Sequence, residues 1–348
     1  MEGNVAAVLY GPKDLRIESC PMPEINEKEV LIKMHSVGIC GTDVKLYNTG
    51  QCGQETATAA RPIVMGHEGA GVVVQVGAAV RTLRAGDRVA VEPTQPCRGC
   101  APCRAGRYNL CAAPRYCSTA DGAGNLARYY AHVADFCHKI PDDMSLEEGA
   151  AIQPLAIAIH ACTRAGVRLG CSLAVLGAGP IGVLCALSAR AMGATNIVMT
   201  DIVESRLETA RRLVADHTVL VGGDETEQQT ADRLAQLLGG PPDICIEASG
   251  HASAQRIAMM AAKTGGVVLV VGISSGPSAV PLCDTLMREV DIRGSNRILN
   301  TYPAALAAAA RGAVPLRAFI THHFPLERAR DALELAASGQ AMKIILHL

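Results

Sequence analysis

Hydrophobic and polar residues alternate in short runs over roughly the first 150 positions of the chain. Runs of this length and period predict β-strands, and turns rich in Gly and Pro, such as Gly11-Pro12, separate them. The pattern predicts an all-β module of the barrel or sandwich kind. Its clearest strands are Val5–Tyr10, Glu29–Val37, Gly69–Val76 and Arg88–Val91.

The rhythm changes after about residue 151, where apolar runs begin to alternate with helical patterns. Six short strands that alternate with helices predict a doubly wound parallel sheet. The predicted strands are Ser172–Leu176, Asn196–Thr200, His217–Val221, Asp243–Ala248, Val267–Gly272 and Asp291–Gly294.

The C-terminal segment does not fit another strand–helix unit. Helical patterns at Tyr302–Ala310 and Leu326–Gly339 precede a strand-like run at Met342–Leu348. We therefore assign this segment to the first module and predict an α/β protein with a discontinuous domain. The predicted domains are 1–152 with 296–348, and 153–295.

Composition narrows the class of protein. The chain has 348 residues, of which 49% are hydrophobic and 19% charged, and its net charge is −1. These values indicate a folded chain with a large core and exclude a disordered one. There is no basic block, so nucleic acid is not an expected partner. No apolar run reaches the length of a membrane span, so no membrane partner is expected either.

The 14 cysteines can serve as disulfides or as metal ligands, depending on the compartment. The N-terminal residues show no basic region followed by an apolar stretch, so we expect no secretory signal. We therefore expect a cytoplasmic protein, in which clustered cysteines indicate metal binding.

A glycine-rich run, Gly177-Ala178-Gly179-Pro180-Ile181-Gly182, follows a predicted strand and begins a helical pattern. In this position a GxGxxG run predicts a dinucleotide site. Gly177 permits the tight turn, Gly179 lets the backbone approach a pyrophosphate, and Gly182 lets the helix pack on the sheet. Pro180 is tolerated in the first helical turn, whose unpaired N–H groups favour phosphate. The alternative is a glycine-rich turn that binds no nucleotide.

Asp201 ends the next predicted strand. A carboxylate there binds the 2′- and 3′-hydroxyls of the adenosine ribose and repels a 2′-phosphate, which favours NAD over NADP. Its alternative role is a helix N-cap or a first-turn charge. Arg206 is a second candidate at the adenosine, or else a solvated helix residue. We also assign to the cofactor site Val271, Gly272, Ile273, Asn296 and Arg297.

Four cysteines lie at the spacing of a metal site. Cys97, Cys100, Cys103 and Cys111 can surround one tetrahedral ion, with each thiolate about 2.3 Å from Zn²⁺. The intervening residues read as a loop without its own core, so zinc binding would supply local folding free energy. A disulfide pair or redox thiols are the alternatives. The spacing predicts a closed, structural zinc site.

A second group of metal-binding residue types comes from separate turns. Cys40 follows one predicted strand, and His67 and Glu68 begin another. Together they could give three protein ligands and leave a fourth position for water or substrate, which is the arrangement of catalytic zinc.

These stretches resemble the zinc-dependent medium-chain alcohol dehydrogenases, most specifically their sorbitol (polyol) dehydrogenase branch, over nearly the whole chain. The resemblance implies a GroES-like catalytic domain completed by C-terminal residues and an intervening Rossmann domain, with the active site in the cleft between them. It also implies homo-oligomers, commonly tetramers or dimers. The matching stretches are Val37–Asp43, Gly66-His67-Glu68, Gly86–Pro93, Gly124–Tyr130 and Gly177–Gly182.

Carried over by position, the resemblance implies that Cys40, His67 and Glu68 are catalytic zinc ligands. Asp43 resembles the carboxylate that orients the ligand histidine. Thr42 resembles the hydroxyl that contacts the substrate oxygen and the nicotinamide ribose, and it can accept a proton and pass one on. The resemblance thus implies two zinc ions per chain and NAD.

Several substrate-side positions depart from the branch. Gln153 stands where a Glu is usual beside the zinc and its water, so we expect a more strongly Lewis-acidic site. Leu46 and Ile298 stand where tyrosines are usual, and Asn296 stands where a Phe is usual. Arg297 can bind a substrate hydroxyl or form an ion pair at the domain interface.

We therefore expect an NAD-dependent zinc dehydrogenase that acts on a secondary alcohol, with polyols such as sorbitol or xylitol first. The loss of two tyrosine hydroxyls leaves a smaller diol, another secondary alcohol or threonine as an alternative, because one lost polar partner can change discrimination strongly. The unusual loop 50–61 is expected to line the mouth of the site. A zinc- and nucleotide-binding protein with weak or no turnover is a further class, against which the retained Thr42 and Asp201 argue. The physiological substrate, the direction of flux and the oligomer number stay open.

Overall fold

Short strands dominate the N-terminal part of the chain, as its alternating pattern predicts. The computed structural model describes residues 3–53, 55–119, 122–274 and 276–348, and the chain divides into one unit of residues 1–153 with 315–348 and another of residues 154–314. The strands of the first segment are β1 (Asn4–Leu9), β2 (Leu15–Cys20), β3 (Glu29–Gly38), β4 (Gln51–Cys52), β5 (Glu55–Thr56), β6 (Ile63–Val64), β7 (Glu68–Val76), β8 (Arg88–Val91), β9 (Thr94–Gln95), β10 (Arg115–Tyr116), β11 (Tyr129–Val133) and β12 (Cys137–Lys139). Its α-helices are α1 (Gly41–Thr49) and α2 (Ala101–Arg104).

Antiparallel pairing organises this segment. β1 pairs with β2 and β6, while β3 pairs with β7 and β11 in a larger sheet that continues through β8 to β12. Gly38 at the end of β3 lies opposite Glu68 at the start of β7. Two distant parts of the sequence are therefore brought side by side, over a core that includes the buried Ile32 and Met34.

A six-stranded parallel sheet forms the centre of the second unit, with strand order β15-β14-β13-β16-β17-β18. The order reverses between β13 and β16, and nucleotides bind at such a switch point in doubly wound folds. Helix α3 (Leu146–Ala165) leads into this sheet. The elements that follow are β13 (Ser172–Leu176), α4 (Pro180–Ala191), β14 (Asn196–Asp201), α5 (Glu204–Leu213), β15 (His217–Leu220), α6 (Glu227–Leu238), β16 (Ile244–Glu247), α7 (Ala252–Ala261), β17 (Val267–Val270), α8 (Leu282–Met287), β18 (Asp291–Gly294) and α9 (Tyr302–Ala310).

The C-terminal segment returns to the first unit. It contains α10 (Leu316–Phe319), β19 (His322–Pro325), α11 (Ala329–Ser338) and β20 (Ile344–His347). β20 pairs antiparallel with β3 and parallel with β19, so the end of the chain extends the larger sheet of the N-terminal segment.

This return begins later than the sequence predicts. We expected residues from 296 onward to join the first unit, but residues 296–314 belong to the second. Ile298 and Tyr302 are buried there, and the Thr301 hydroxyl donates a hydrogen bond to the Ala156 carbonyl. Burial of these apolar side chains holds α9 in the nucleotide-binding unit. Among the described residues, no helix combines the length and apolarity that crossing a bilayer requires.

Candidate active site

Cys40, His67 and Glu68 converge in the first unit, where their potential ligand atoms all lie within 4.8 Å of one another. The register of β3 and β7 explains the convergence, because Cys40 follows the end of one strand and Glu68 begins the other. His67 and Glu68 are buried, with 5% and 1% of their surface exposed. A thiolate, an imidazole and a carboxylate are the ligand types that zinc prefers.

Asp43 positions two of these residues. Its Oδ2 accepts a hydrogen bond from the Cys40 backbone N–H at 3.0 Å, which caps α1, and its Oδ1 lies 3.3 Å from His67 Nδ1. This contact leaves Nε2 of His67 available to a metal. Thr42 Oγ1 lies 3.5 Å from His67 Nε2, so the Thr42 hydroxyl is beside the nitrogen that would bind the metal.

The electrostatics of His67 depend on its neighbours. Burial acts to lower the pKa of His67, but the negative charges of Asp43 and Cys40 outweigh it and hold the pKa well above its ordinary value. A metal ion would have to displace this proton, so zinc affinity should fall as the pH is lowered.

Glu68 has a partner that the sequence analysis missed. Lys343 Nζ lies 2.6 Å from Glu68 Oε2 and donates a hydrogen bond to the Ile39 carbonyl at 3.0 Å, and both charged side chains are buried. Gly38 makes room for this pair, because a Cβ there would lie 2.2 Å from Glu68 Oε2. A single lysine in the otherwise apolar run Met342–Leu346 was the available signal.

The substrate-side positions of the first unit are less polar than a polyol site would suggest. Gln153 is buried, and neither atom of its amide has a hydrogen-bond partner among the described residues. Such an amide costs free energy unless something polar meets it, which fits a group that faces a ligand. Leu46 packs into the core of the unit with 3% of its surface exposed. In the loop 50–61, Gln54 lies outside the described residues.

The four cysteines predicted to form the second metal site do come together, with their sulfur atoms within 4.8 Å of one another. The helix α2 follows Cys100, and a 3-10 turn at Tyr108–Leu110 precedes Cys111. The Sγ atoms of Cys100 and Cys111 are 4.0 Å apart, close to the separation of two thiolates bound to one zinc. All 14 cysteines lie among the described residues and none forms a disulfide, so the disulfide alternative is not realised.

The thiols of this cluster cannot all ionise independently. Hydrogen bonds from the backbone N–H groups of Ala112 and Cys103 lower the pKa of Cys100 to about 6. Burial and the neighbouring sulfur of Cys100 raise the pKa of Cys103 to about 12. A divalent cation would remove this repulsion, so the cluster fits zinc and not four free thiols.

The glycine turn of the second unit has the geometry that a dinucleotide needs. Gly177 has a positive φ of 104°, and a Cβ on Gly182 would lie 1.9 Å from the Gly177 carbonyl oxygen. A Cβ on Gly179 would meet nothing within 4 Å, so the backbone there is open to a ligand. Helix α4 begins at Pro180, and no side chain of the described residues caps it, so its first N–H groups are available to phosphate.

Asp201 ends β14 beside this turn, as predicted. Its Oδ2 accepts from the Ala178 N–H at 2.8 Å and its Oδ1 from the Val203 N–H at 3.0 Å, so the carboxylate also braces the turn. Arg206 lies 3.8 Å from Asp201 Oδ1 and therefore accompanies the carboxylate instead of pointing into solvent alone.

Glu247 is a second carboxylate at the ends of these strands that the sequence analysis missed. Its Oε1 accepts hydrogen bonds from the N–H groups of Ser249 and Gly250, and its Oε2 is buried without a hydrogen-bond partner among the described residues. The N–H groups of Val271 and Gly272 donate to its carbonyl. Glu247 thus holds the segment that we assigned to the cofactor, and the signal was an acidic residue at the end of a buried strand.

Beyond this segment, Ile273 is 77% exposed. Asn296 is exposed, and Arg297 has a left-handed backbone with a φ of 56°. A non-glycine residue in that region is strained, and such residues are concentrated at functional sites.

A nucleotide-binding sheet in one unit and a three-ligand metal set in the other define the class of zinc-binding dehydrogenases. Residues 26–142 match the alcohol dehydrogenase GroES-like domain, and residues 180–311 match the zinc-binding dehydrogenase domain. The chain belongs to the zinc-containing medium-chain alcohol dehydrogenase family.

Within this family the chain is similar to sorbitol dehydrogenases. It is 58% identical to sorbitol dehydrogenase from Bombyx mori over 100% of this chain and 99% of the relative, and 44% identical to that of Bos taurus over 99% and 96%. A solved oxidoreductase of unknown specificity from Escherichia coli superposes with a TM-score of 0.93 at 32% identity, covering 99% of each chain. The GroES-like and Rossmann architecture, zinc-dependent polyol oxidoreduction, and zinc and NAD(H) as cofactors are confirmed at this level.

Proposed function

We propose that this protein oxidises a secondary hydroxyl of a polyol, such as sorbitol or xylitol, to a ketose with NAD as acceptor. The observation that carries the proposal is the convergence of Cys40, His67 and Glu68 around one point, with Asp43 on the far side of the histidine ring. When bound, zinc supplies a Lewis acid that lowers the pKa of the substrate hydroxyl.

The residues around this point divide the work. Cys40, His67 and Glu68 hold the metal, and Asp43 fixes the orientation of the His67 ring. The Thr42 hydroxyl accepts the proton of the substrate hydroxyl and releases its own to solvent water. Lys343 neutralises Glu68 and limits the negative charge that the three ligands bring to the site.

The second unit supplies the cofactor site. The turn Gly177–Gly182 holds the pyrophosphate at the start of α4, and Asp201 binds the ribose hydroxyls. Val271, Gly272 and Ile273 line the nicotinamide side, on the frame that Glu247 braces. NAD supplies the hydride acceptor. Cys97, Cys100, Cys103 and Cys111 hold a structural zinc, with no part in the chemistry.

A smaller or less polar diol is the second candidate substrate. Leu46 and Ile298 are both buried and neither offers a hydroxyl, while Gln153 offers an amide in place of a carboxylate. A long polyol loses more hydrogen-bond partners by these changes than a short diol does. Arg297 is the remaining charged group that we assign to substrate recognition.

The test is the formation of NADH from NAD, and of NADPH from NADP, with sorbitol, xylitol, 2,3-butanediol and threonine as substrates. We expect the highest kcat/KM for a polyol with NAD. A higher kcat/KM for butanediol or threonine would show that the substrate is not a polyol such as sorbitol or xylitol. If zinc-loaded protein turns over none of the four compounds, a binding role would be favoured.

We also propose a cytoplasmic homo-oligomer, a dimer or tetramer. β18 is an edge strand with Ile292 exposed, and nearby Leu286 and Met287 of α8 are 74% and 79% exposed. Exposed apolar side chains beside an unpaired strand edge favour association with a second copy. Light scattering of the wild type and of Met287→Glu tests this, and a monomeric wild type would contradict it.

A further inference from the structure

A third group of metal-binding residue types lies in the first unit, apart from both predicted zinc sites. Glu147, His323 and His347 place one ligand atom each within 4.8 Å of the others. None of the three belongs to the ligand sets already described.

The distances inside this group match those of a metal site. Glu147 Oε1 lies 3.3 Å from His323 Nδ1 and 3.2 Å from His347 Nε2. Ligand atoms bound about 2.0–2.1 Å from a tetrahedral zinc are about 3.3 Å apart. The carboxylate oxygen therefore already stands at that separation from each nitrogen, and the ligand atoms of the two histidines lie within 4.8 Å of each other.

The backbone fixes both histidines on one face of the sheet. β19 and β20 are parallel, and His323 lies opposite Ile345, two residues before His347. Residues two apart in a strand share a face, so the two imidazoles are diagonal neighbours. Their rings stack with centroids 5.6 Å apart and an interplanar angle of 12°.

Glu147 reaches the histidines from the first turn of α3. Its neighbours Ser145 and Glu148 form the capping interaction there, with the Glu148 N–H donating to Ser145 Oγ at 3.1 Å and the Ser145 N–H to Glu148 Oε2 at 2.9 Å. The cap sets the start of the helix without using the Glu147 side chain. That carboxylate is therefore directed at the histidines by a fixed backbone.

The group is accessible to an ion. The side chains of Glu147, His323 and His347 are 32%, 47% and 35% exposed, which leaves room for water as a further ligand. His35 of β3 packs its ring edge-on against His347 at 5.7 Å and restricts the motion of that ring.

We propose that Glu147, His323 and His347 form a third metal site that binds a divalent transition-metal ion such as Zn²⁺. Two imidazoles and one carboxylate suit zinc and its neighbours in the first transition series, and they select against calcium and magnesium. The bound ion joins the start of α3 to the strands β19 and β20. It therefore stabilises the folded chain, by an amount that rises with the logarithm of the free ion concentration above the dissociation constant.

The experiment titrates the zinc-loaded protein with further Zn²⁺ at about pH 8, where imidazole is mainly neutral. Bound zinc is counted per chain after equilibrium dialysis, and Co²⁺ absorption reports the ligand geometry. We expect one additional equivalent in the wild type, bound more weakly than the others. His323→Ala should weaken its binding about 100-fold and Glu147→Gln about 10-fold.

His322→Ala is the matched control, because it removes the adjacent histidine on the opposite face of β19, where its ring contacts Thr321. It should keep the additional equivalent and the zinc-induced rise in Tm, and His323→Ala should lose both. An additional equivalent that persists with unchanged affinity in the double variant His323→Ala/His347→Ala would overturn the proposal. A wild type that binds no additional zinc up to about 1 mM would also overturn the proposal, because even a very weak site, with a dissociation constant in that range, would be partly filled.

Discussion

The predicted catalytic site and the four-cysteine loop use the same metal but are built in opposite ways. The loop takes all its ligands from Cys97–Cys111, of which Cys97 is exposed, Cys100 and Cys103 are half-buried and Cys111 is buried. The other site takes Cys40, His67 and Glu68 from the adjoining ends of two paired strands, β3 and β7, and adds Lys343 from the C-terminal segment. The loop would therefore be held by its metal, whereas the other site is held by the fold.

This difference has an electrostatic consequence. Four thiolates more than neutralise a divalent ion, so zinc in the loop would be a poor Lewis acid. With a metal bound, the ligands of the other site would be one thiolate, one carboxylate and one neutral imidazole, and Lys343 offsets the carboxylate. An ion there would keep its electrophilic character, which the proposed reaction requires.

The largest effect should follow from removing a ligand that the fold holds. His67→Ala should lower kcat/KM by at least about 10³-fold, because a Lewis acid contributes several kcal/mol to stabilising the developing charge. Zinc analysis should show the loss of one ion while the cysteine loop keeps the other. His251→Ala, at an exposed position, is the control, and activity within tenfold of wild type in His67→Ala would contradict the ligand assignment.

The cysteine loop should respond with stability instead of catalysis. Cys100→Ser should lower Tm by about 5–10 °C. The loss of a metal that folds its own loop costs a few kcal/mol of stability, and each kcal/mol lowers Tm by about 2–4 °C in a domain of this size. Activity per correctly folded chain should change less than threefold, which is within about 0.7 kcal/mol. Cys283→Ser removes an exposed cysteine outside the cluster and serves as the control. Lost catalysis at unchanged Tm would exchange the two roles.

A smaller effect should separate the metal ligand from the residue that orients it. Asp43→Asn keeps the shape and the hydrogen-bond acceptor for Cys40 N–H but removes the charge beside His67, so zinc affinity should fall about 10–100-fold. The pKa of His67 should fall as well, because Asp43 holds it up. The measurement is the zinc dissociation constant as a function of pH. Proton competition should begin at a lower pH in Asp43→Asn than in wild type, and identical profiles would exclude the electrostatic role of Asp43.

The same contrast explains what the sequence could and could not predict. The cysteine cluster and the glycine turn are local, because spacing alone brings their atoms together, and the sequence predicts both. For Cys40, His67 and Glu68 the residue types predict a possible ligand set and the family resemblance supports it, but nothing in their spacing shows that β3 and β7 are neighbours.

Three features could not be predicted from the sequence because they depend on tertiary contacts. The Lys343–Glu68 pair joins residues 275 positions apart. Glu247 acts through the backbone of two loops that it brings together. The first unit resumes at residue 315 and not at the predicted residue 296. The helical pattern of α9 is compatible with either unit, and only its packing shows that it belongs to the second.

The cofactor turn is intermediate between a local site and one that depends on tertiary contacts. Its glycines are close together in the sequence, but its carboxylate belongs to the next strand. Asp201→Ala should lower the ratio of kcat/KM for NAD to that for NADP by about tenfold or more. The reason is that a negative charge close to a 2′-phosphate costs upwards of about 1 kcal/mol. Asp201 also accepts hydrogen bonds from the turn, so Asp201→Asn is needed to remove the charge while keeping an acceptor. Glu204→Ala, on the exposed face of α5, is the control. If Asp201→Asn leaves the ratio unchanged while Asp201→Ala only lowers Tm, Asp201 is a brace for the turn, and NAD preference must come from other residues.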